Sequence, residues 1–180
     1  MILSGHEIAR EVGLGRIEID DFDPERVEPN SYGFRLGDAI LEYTSDVLDP
    51  ERAPETIRTE IGEDGIVLQP GKLYLGSTAE KMGSDFYAAT IHARLSVSSL
   101  GVWIQYSAPL GHSGAIIPWT LEIKVSQPVR LHRGMVIGKI AFWTMLGVSG
   151  KYDGKYSGST DVVASRLVLD NPAPALVGAA

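Results

Sequence analysis

The sequence contains no cysteine among its 180 residues. Without thiols the chain forms no disulfide bond and no zinc site built on thiolates. The zinc-dependent nucleobase deaminases are excluded as well, because their signature requires a Pro-Cys-x-x-Cys motif. The histidines His6, His92 and His132 do not share the spacing of a metal site. We therefore expect no metal ion bound by protein side chains.

The sequence also lacks a long apolar run and a concentration of basic residues. No stretch approaches the length of a membrane span, and Met1–Ser4 shows neither the basic nor the apolar region of a signal peptide. We therefore expect a cytoplasmic protein without membrane contact. The net charge is −7, and no basic stripe typical of duplex DNA binders is visible. We expect no nucleic-acid partner, although a few local cations suffice to bind a nucleotide.

The composition is that of one globular domain. Hydrophobic residues make up 44% and charged residues 22% of the chain. A length of 180 residues is enough to bury a sizeable core. We predict a single domain over residues 1–170. Residues 171–180 are rich in alanine and proline, and they are predicted to form a flexible C-terminal tail.

The first secondary-structure signal is a short helix. Ser4 followed by Glu7 forms a capping-box pattern, and Ile8 and Val12 then lie on one helical face. Glycine follows this pattern directly and ends it. The sequence therefore predicts one helix over residues 5–12.

Beyond this helix the sequence consists of short β-prone stretches separated by Gly, Pro, Asp and Asn. Residues 120–125 alternate polar and apolar side chains, which indicates a half-buried strand. The acidic, turn-rich segment Asp46–Asp64 is predicted to be a surface excursion. Because strands and helices do not alternate, the pattern predicts an all-β sandwich or barrel. The predicted strands are 33–41, 72–77, 88–93, 102–106, 115–125 and 136–143.

Four stretches resemble motifs of the dCTP deaminase family, a branch of the dUTPase-like superfamily. Residues 31–37 read Ser-Tyr-Gly-Phe-Arg-Leu-Gly and resemble the family's Ser-x-Asp-x-Arg-Leu-Gly strand. Residues 94–101 read Arg-Leu-Ser-Val-Ser-Ser-Leu-Gly and resemble its Arg-Ser-Ser-x-x-Arg-x-Gly loop. Residues 113–123 are similar to its Gly-x-x-x-Leu-Glu strand, and residues 155–166 are similar to its C-terminal Lys-Tyr and Ser-Arg segment. The resemblance spans residues 29–166.

The resemblance implies a distorted β-barrel or jelly roll of the dUTPase-like type that assembles as a homotrimer. Nucleotide sites of this family lie between subunits, so the implied partners are a pyrimidine nucleotide and further copies of the chain. Such a trimer would also bury apolar surface that a lone barrel leaves exposed.

The resemblance places Glu122 at the family's catalytic carboxylate. Hydrolysis of the cytosine amino group needs a base that deprotonates water, and an acid that protonates the ring nitrogen and the leaving ammonia. One carboxylate shuttles all these protons when burial brings its affinity for protons into the right range. The alternative is that Glu122 lies with Thr120 and Lys124 on the solvent face of an amphipathic strand.

The resemblance also places Arg94 and Ser96 among the residues that hold phosphate oxygens, and Ser99 at the family's second arginine. A guanidinium binds phosphate bidentately, and a hydroxyl adds a directed donor. The alternative for Arg94 is a surface ion pair worth about 0 to 1 kcal/mol. A triphosphate substrate would carry Mg²⁺ on its own phosphates, without a protein cage for the ion.

The C-terminal segment of the family closes over the nucleotide, which implies binding roles for Lys155, Tyr156 and Arg166. Such a lid adds charge and excludes water. The alternative is a solvated C-terminal segment. His112 is a further candidate, as a donor to the base or to a phosphate, and Trp119 is another candidate site residue.

The sequence departs from the family pattern at five positions. Leu95 replaces a serine, Ser99 an arginine and Gly33 an aspartate, while Ser159 and Asp161 replace the tail's usual glutamine and glycine. Ser99 removes a cation and Asp161 adds an anion beside the expected phosphate site. Each lost charge-assisted contact costs about 1.5 to 3 kcal/mol. We therefore expect a less phosphorylated or modified cytosine nucleotide, or loss of the standard reaction.

The spacing from Gly114 to Glu122 is three residues longer than in the family motif, and Pro118 lies in the extra stretch. Proline has no N–H to donate to a strand ladder. The spacing therefore predicts a bulge or loop beside Glu122.

Three functions remain open from the sequence. The first is hydrolytic deamination of a cytosine nucleotide, with Glu122 as the proton shuttle. The second is a dUTPase-like phosphohydrolase, which Gly33 and the absence of a Gly-rich, Phe-containing tail disfavour. The third is a trimeric nucleotide-binding or regulatory protein without catalysis, which the changes at Leu95, Ser99 and Ser159 would fit. A purely structural role is the last alternative.

Overall fold

The computed structural model describes residues 1–172. Its first element is helix α1, Gly5–Gly13, which begins after the N-cap residue Ser4. The Ser4 hydroxyl accepts a hydrogen bond from the Glu7 backbone N–H at 3.2 Å, and Ile8 is fully buried. The predicted helix is therefore confirmed to within one residue. Most of the predicted tail 171–180 lies outside the described residues.

Most of the remaining ordered structure is strand. A one-turn helix α2 and two short 3₁₀ turns are the other helical elements of the described part. No helix within residues 1–172 combines the length and the apolar character needed to cross a membrane. The elements are β1 Glu18–Ile19, the 3₁₀ turn Pro24–Arg26, β2 Val27–Glu28, β3 Ser31–Arg35, β4 Ala39–Tyr43, β5 Thr56–Glu60, β6 Ile66–Leu68, β7 Tyr74–Gly83, β8 Ala88–Ala93, α2 Leu95–Ser98, β9 Val102–Trp103, β10 Leu110–Gly111, β11 Ile117–Val125, β12 Val129–Leu131, β13 Val136–Trp143 and the 3₁₀ turn Leu167–Leu169.

The strands form two larger antiparallel sheets and a short ribbon. One sheet has the order β5-β4-β7-β11-β9, with β1 also paired to β7. The second has the order β10-β8-β13-β3-β2, and β12 pairs with β6. Apolar side chains from both sheets fill one core, among them Phe34 and Phe142 from the second sheet and Leu121 and Ile123 from the first. The predicted all-β class with a short N-terminal helix is confirmed.

The predicted strand 33–41 is wrong as a single element, because the chain changes sheets within it. β3 belongs to the second sheet and β4 to the first. The crossing is fixed at Gly37, whose N–H donates to the Ser77 carbonyl at 2.8 Å. A Cβ on Gly37 would lie 2.6 Å from the Ser77 hydroxyl and 3.1 Å from the Ser77 carbonyl oxygen, so glycine favours this close approach of the two segments.

The other predicted strands agree to different degrees. Residues 88–93 and 136–143 form β8 and β13 with the predicted bounds. The strand predicted at 102–106 ends at Trp103, because β9 pairs with β11 only through two residues. The remaining two predictions shift to β7 and to β11, which begins at Ile117. The segment Asp46–Asp64 is largely exposed as predicted, but it also contains the edge strand β5, which the sequence analysis missed.

The predicted irregularity beside Glu122 is confirmed as a register shift between Pro118 and Thr120 in the pairing of β11 with β7. At the shift, the Trp119 N–H leaves the ladder and donates to the Thr78 hydroxyl at 2.8 Å. The bulge thereby turns Trp119 toward the protein interior, where its side chain is almost completely buried.

Candidate active site

A cavity of about 440 Å³ lies against the outer side of β11. Four parts of the chain build it: β11 itself, the segment between β9 and β11, the C-terminal segment that follows β13, and Tyr43 at the end of β4. Aromatic and small apolar side chains supply most of the wall, and one carboxylate, that of Glu122, lies among them. The lining residues are Tyr43, Ala108, Leu110, Gly111, His112, Ala115, Ile117, Pro118, Trp119, Thr120, Glu122, Tyr152, Tyr156, Ser159, Val163 and Ser165.

Glu122 is half-buried in this wall, and two backbone groups of one neighbouring segment hydrogen-bond to it. Its own N–H donates to the Ile104 carbonyl at 3.0 Å, and its carboxylate Oε2 accepts from the Tyr106 N–H at 2.8 Å. The segment after β9 therefore fixes both the backbone and the carboxylate of Glu122. A carboxylate held this way keeps one orientation toward the cavity, which a proton shuttle requires.

The outer face of β11 is partly covered by other parts of the chain. The Thr120 hydroxyl accepts from the Val163 N–H at 3.2 Å, and the Lys124 ammonium lies 4.6 Å from the centre of the Tyr106 ring. All three outward side chains, Thr120, Glu122 and Lys124, are half-buried. The C-terminal segment and Tyr106 therefore cover this face in part, and a site role for Glu122 stays a prediction.

Trp119 and Gly111 shape one wall of the cavity. The Trp119 indole N–H donates to the Met82 carbonyl at 3.0 Å, which fixes the plane of the ring. A Cβ on Gly111 would lie 1.9 Å from the ring. The ring therefore packs directly on the Gly111 backbone. This contact fixes the cavity wall at Gly111, and the ring itself is almost completely buried.

The C-terminal segment forms the opposite wall. The Ser165 N–H donates to the Tyr43 hydroxyl and the Arg166 N–H to the Tyr156 hydroxyl, each at 3.1 Å. Tyr152 stacks on His112 with ring centres 5.8 Å apart. Of the tail residues predicted to contact the ligand, Tyr156 lines the cavity. The candidate His112, which lies outside the tail, lines the cavity as well.

Lys155 and Arg166 do not line the cavity but lie behind Tyr156. The Lys155 ammonium pairs with Asp170, which raises the pKa of Lys155 above its ordinary value. Arg166 donates to the Lys155 carbonyl, and its guanidinium lies 5.7 Å from the centre of the Tyr156 ring. In one protomer these two cations support the wall, and a direct contact with the ligand stays a prediction.

Asp161 also lies outside this cavity. Its carboxylate Oδ2 accepts from the Arg58 guanidinium at 2.6 Å, so that the C-terminal segment is tied to the edge strand β5. The family resemblance had predicted that Asp161 adds an anion beside the phosphate site. Arg58 also pairs with Asp38 and Glu60, so this single cation is shared by three carboxylates and the local charge stays negative.

The residues predicted to hold phosphate, Arg94, Ser96 and Ser99, are brought together with one another but not with Glu122. Arg94 is the N-cap residue of α2, and the exposed Ser96 and Ser99 lie in or directly after this turn. The Ser99 hydroxyl donates to the Leu95 carbonyl at 2.8 Å. None of the three lines the Glu122 cavity of the same protomer. A site that combines them with Glu122 therefore requires a second subunit, and this assembly stays a prediction.

Metal binding has no support from side-chain geometry in residues 1–172, where no three His, Asp or Glu side chains are grouped to hold an ion. Mg²⁺ carried by a substrate's phosphates stays a prediction. Tyr43, Tyr106 and Tyr152 belong to the site but were not predicted from the sequence. Tyr106 acts through its backbone N–H, and the other two reach the cavity over long sequence separations, so no local pattern signals them.

Comparison with known proteins gives three findings. A family model described as dCTP deaminase-like matches residues 2–145. A dCTP deaminase of Rhodopirellula baltica is 40% identical over 168 residues, which cover 93% of this chain and 84% of that protein. A dUMP-forming dCTP deaminase of Clostridium acetobutylicum is 38% identical over 171 residues, which cover 94% of this chain and 98% of that protein.

Similarity to a solved structure agrees with these findings at the level of the fold. The crystal structure of 2'-deoxycytidine 5'-triphosphate deaminase from Agrobacterium tumefaciens matches with a TM-score of 0.62 and 20% sequence identity. The match covers 78% of this chain and 47% of that chain. At this identity the likeness shows a shared fold.

Proposed function

Because the chain belongs to the dCTP deaminase-like family, we propose that it removes the amino group of a cytosine nucleotide by hydrolysis, forming the uracil nucleotide and ammonia. The observation that carries this proposal is the position of Glu122. Its carboxylate is held by the Tyr106 N–H in the wall of a cavity that is otherwise lined mostly by aromatic and small apolar side chains. A carboxylate held in one orientation within a mostly apolar cavity is the arrangement that the reaction needs.

In the proposed reaction, Glu122 handles every proton. The carboxylate takes a proton from water as the water oxygen bonds to C4 of the base, and it gives this proton to N3. The tetrahedral intermediate then carries a hydroxyl and an amino group on C4. Glu122 takes the hydroxyl proton and delivers it to the amino group, which leaves as ammonia while the C4 carbonyl forms. Water is consumed, ammonia is released, and the carboxylate returns to its starting state.

We propose further that the substrate carries fewer phosphates than the triphosphate, or a modified base. The support is the serine at position 99, which offers no positive charge and whose hydroxyl is bonded to Leu95. A missing charge-assisted contact costs about 1.5 to 3 kcal/mol, or about 10- to 150-fold in affinity. If a triphosphate does bind, we expect it to bring its own Mg²⁺.

We also propose that the active unit is a homotrimer located in the cytoplasm. The support for assembly is that Arg94 and Ser96 lie outside the Glu122 cavity of their own protomer. A neighbouring copy would complete each site with these residues. Sedimentation equilibrium measures the assembly state, and a protein that is monomeric yet fully active would contradict the shared site.

The test uses a panel of dCTP, dCMP, CMP and cytidine, with ammonia and pyrophosphate measured in the same reactions. We expect ammonia from at least one nucleotide. Glu122→Gln keeps the size of the side chain but cannot accept the proton, so we expect at least about a hundredfold lower kcat. Glu42→Gln is the matched control, since Glu42 pairs with Lys72 on the surface. Full activity of Glu122→Gln would refute the mechanism, and pyrophosphate without ammonia would favour the phosphohydrolase.

A further inference from the structure

The outer face of the second sheet carries a group of cations beside the turn that holds Ser96. Lys139 on β13 is the register partner of His92 on β8 and of Gly33 on β3. Directly paired residues of antiparallel strands point to the same face, and so do residues two apart along a strand. His92, Lys139 and Arg94 therefore project from the same side of the sheet.

Glu28 lies between the two permanent cations of this group. Its Oε1 is 3.6 Å from Arg94 Nε and its Oε2 is 4.0 Å from Lys139 Nζ, while the Ser31 hydroxyl donates to Oε2 at 3.0 Å. Charge-assisted hydrogen bonds are about 2.7 to 2.9 Å long. Both cations are thus near one carboxylate without a close bond to it, and the group has a net positive charge within a chain of net charge −7.

Neither cation is locked in place by burial. The side chains of Arg94 and Lys139 are 43% and 38% exposed, and that of Glu28 is 27% exposed. On the β3 side, Lys139 faces Gly33, which has no side chain to neutralise it. The Lys139 ammonium and the Arg94 guanidinium are therefore available to an external anion that competes with Glu28.

We propose that Arg94 and Lys139 together bind one phosphate group of the nucleotide, and that Glu28 holds their place when no phosphate is present. A phosphate offers three oxygens, so it accepts from the Arg94 guanidinium and the Lys139 ammonium at the same time. Lys139 then supplies a positive charge that Ser99 does not. This inference rests on the proposed nucleotide substrate, and it assigns a binding role to a residue outside the family motifs.

The proposal predicts opposite effects for two single substitutions. Lys139→Ala removes one cation, so we expect the KM for the accepted nucleotide to rise about tenfold, while kcat/KM for cytidine stays unchanged. Glu28→Gln removes the competing carboxylate, so we expect the same KM to fall. Lys139→Arg restores the charge and is expected to recover most of the affinity. Lys81→Ala is the matched control, because Lys81 is equally half-exposed and pairs with Glu18 at 3.3 Å in the other sheet.

A second measurement does not depend on catalysis. Inorganic tripolyphosphate is titrated into each protein by calorimetry. We expect the native protein to bind it about tenfold more tightly than the Lys139→Ala variant does, and the control Lys81→Ala to bind it with the native affinity. If no nucleotide is deaminated but this difference is found, the phosphate site stands and the proposed function fails. If nucleotides are deaminated and Lys139→Ala changes neither KM nor tripolyphosphate binding, the phosphate site is refuted and the deaminase proposal is untouched.

Discussion

The interior of this β protein contains a carboxylate whose removal is expected to lower the free energy of unfolding. Glu80 on β7 is completely buried, and its Oε1 accepts from Arg35 Nε at 2.7 Å and from the Arg26 guanidinium. Its Oε2 accepts from the Arg35 backbone N–H at 2.9 Å. Glu80 thus joins β7 of one sheet to β3 of the other and to the 3₁₀ turn before β2. Replacing it by glutamine keeps the shape and removes the charge.

The expected loss follows from the burial of the partners. Breaking a buried ion pair by changing one partner costs about 3 to 5 kcal/mol, because the other charge stays buried without compensation. Arg26 is only 11% exposed, whereas Arg35 is 33% exposed and regains some contact with water. We therefore expect Glu80→Gln to lower the free energy of unfolding by about 3 kcal/mol. The control Glu18→Gln breaks an exposed pair with Lys81 in the same sheet, and we expect about 0 to 1 kcal/mol.

Urea denaturation followed by circular dichroism measures both variants, at one protein concentration so that any assembly contributes equally. The difference between Glu80→Gln and Glu18→Gln is the decisive quantity. A difference below about 1 kcal/mol would mean that the two arginines find new partners or water without loss, and would refute the view that this buried network joins the two sheets.

Two further predictions concern the N-terminal helix and the cavity wall. Hydrogen bonds from Arg16 and Tyr87 lower the pKa of the buried Glu11 carboxylate from 4.5 to about 2. A lowered folded-state pKa stabilises the protein above the unfolded pKa, and this stabilisation is lost as the pH falls toward the folded value. We therefore expect Glu11→Gln to be less stable than the native protein at pH 7, with a difference that shrinks between about pH 5 and pH 2 in urea titrations; a constant difference would contradict the assigned pKa. Gly111→Ala places a methyl group against the Trp119 ring, so we expect altered tryptophan fluorescence and at least about tenfold lower kcat/KM. The control Gly62→Ala meets no atom within 4 Å and should leave the fluorescence and kcat/KM unchanged. Native-like fluorescence and activity in Gly111→Ala would show that activity does not depend on the position of the ring.

Local signals explain which parts of the fold could be predicted from the sequence. Helix α1 is marked by Ser4 and by apolar spacing, and the bulge beside Glu122 by Pro118, so each follows from a few adjacent residues. The separation of β3 from β4 depends instead on the contact of Gly37 with Ser77, forty positions away in the chain. Strand β5 is exposed on both faces and therefore lacks the alternation of apolar residues that marks a half-buried strand.

The same distinction applies to the candidate site. A motif in one strand identified Glu122, but its hydrogen-bond donor is a backbone N–H of Tyr106, which any residue except proline supplies. Sequence resemblance likewise could not show that Lys155 and Arg166 lie behind Tyr156, because that depends on where Asp170 and the Lys155 carbonyl are placed by the fold.

The path of β8 separates the two halves of the proposed chemistry. Near its start, Ala89 pairs with Gly111, which lines the Glu122 cavity; Arg94 follows its last residue, five positions later and therefore about 16 Å farther along the strand. Within a protomer, the cavity wall at Gly111 and the side chain of Arg94 thus lie at opposite ends of β8. Neither Arg94 nor Lys139 lines the cavity that contains Glu122 in the same protomer. The proposed deamination of a nucleotide therefore depends on how a second copy sets its own β8 against this cavity.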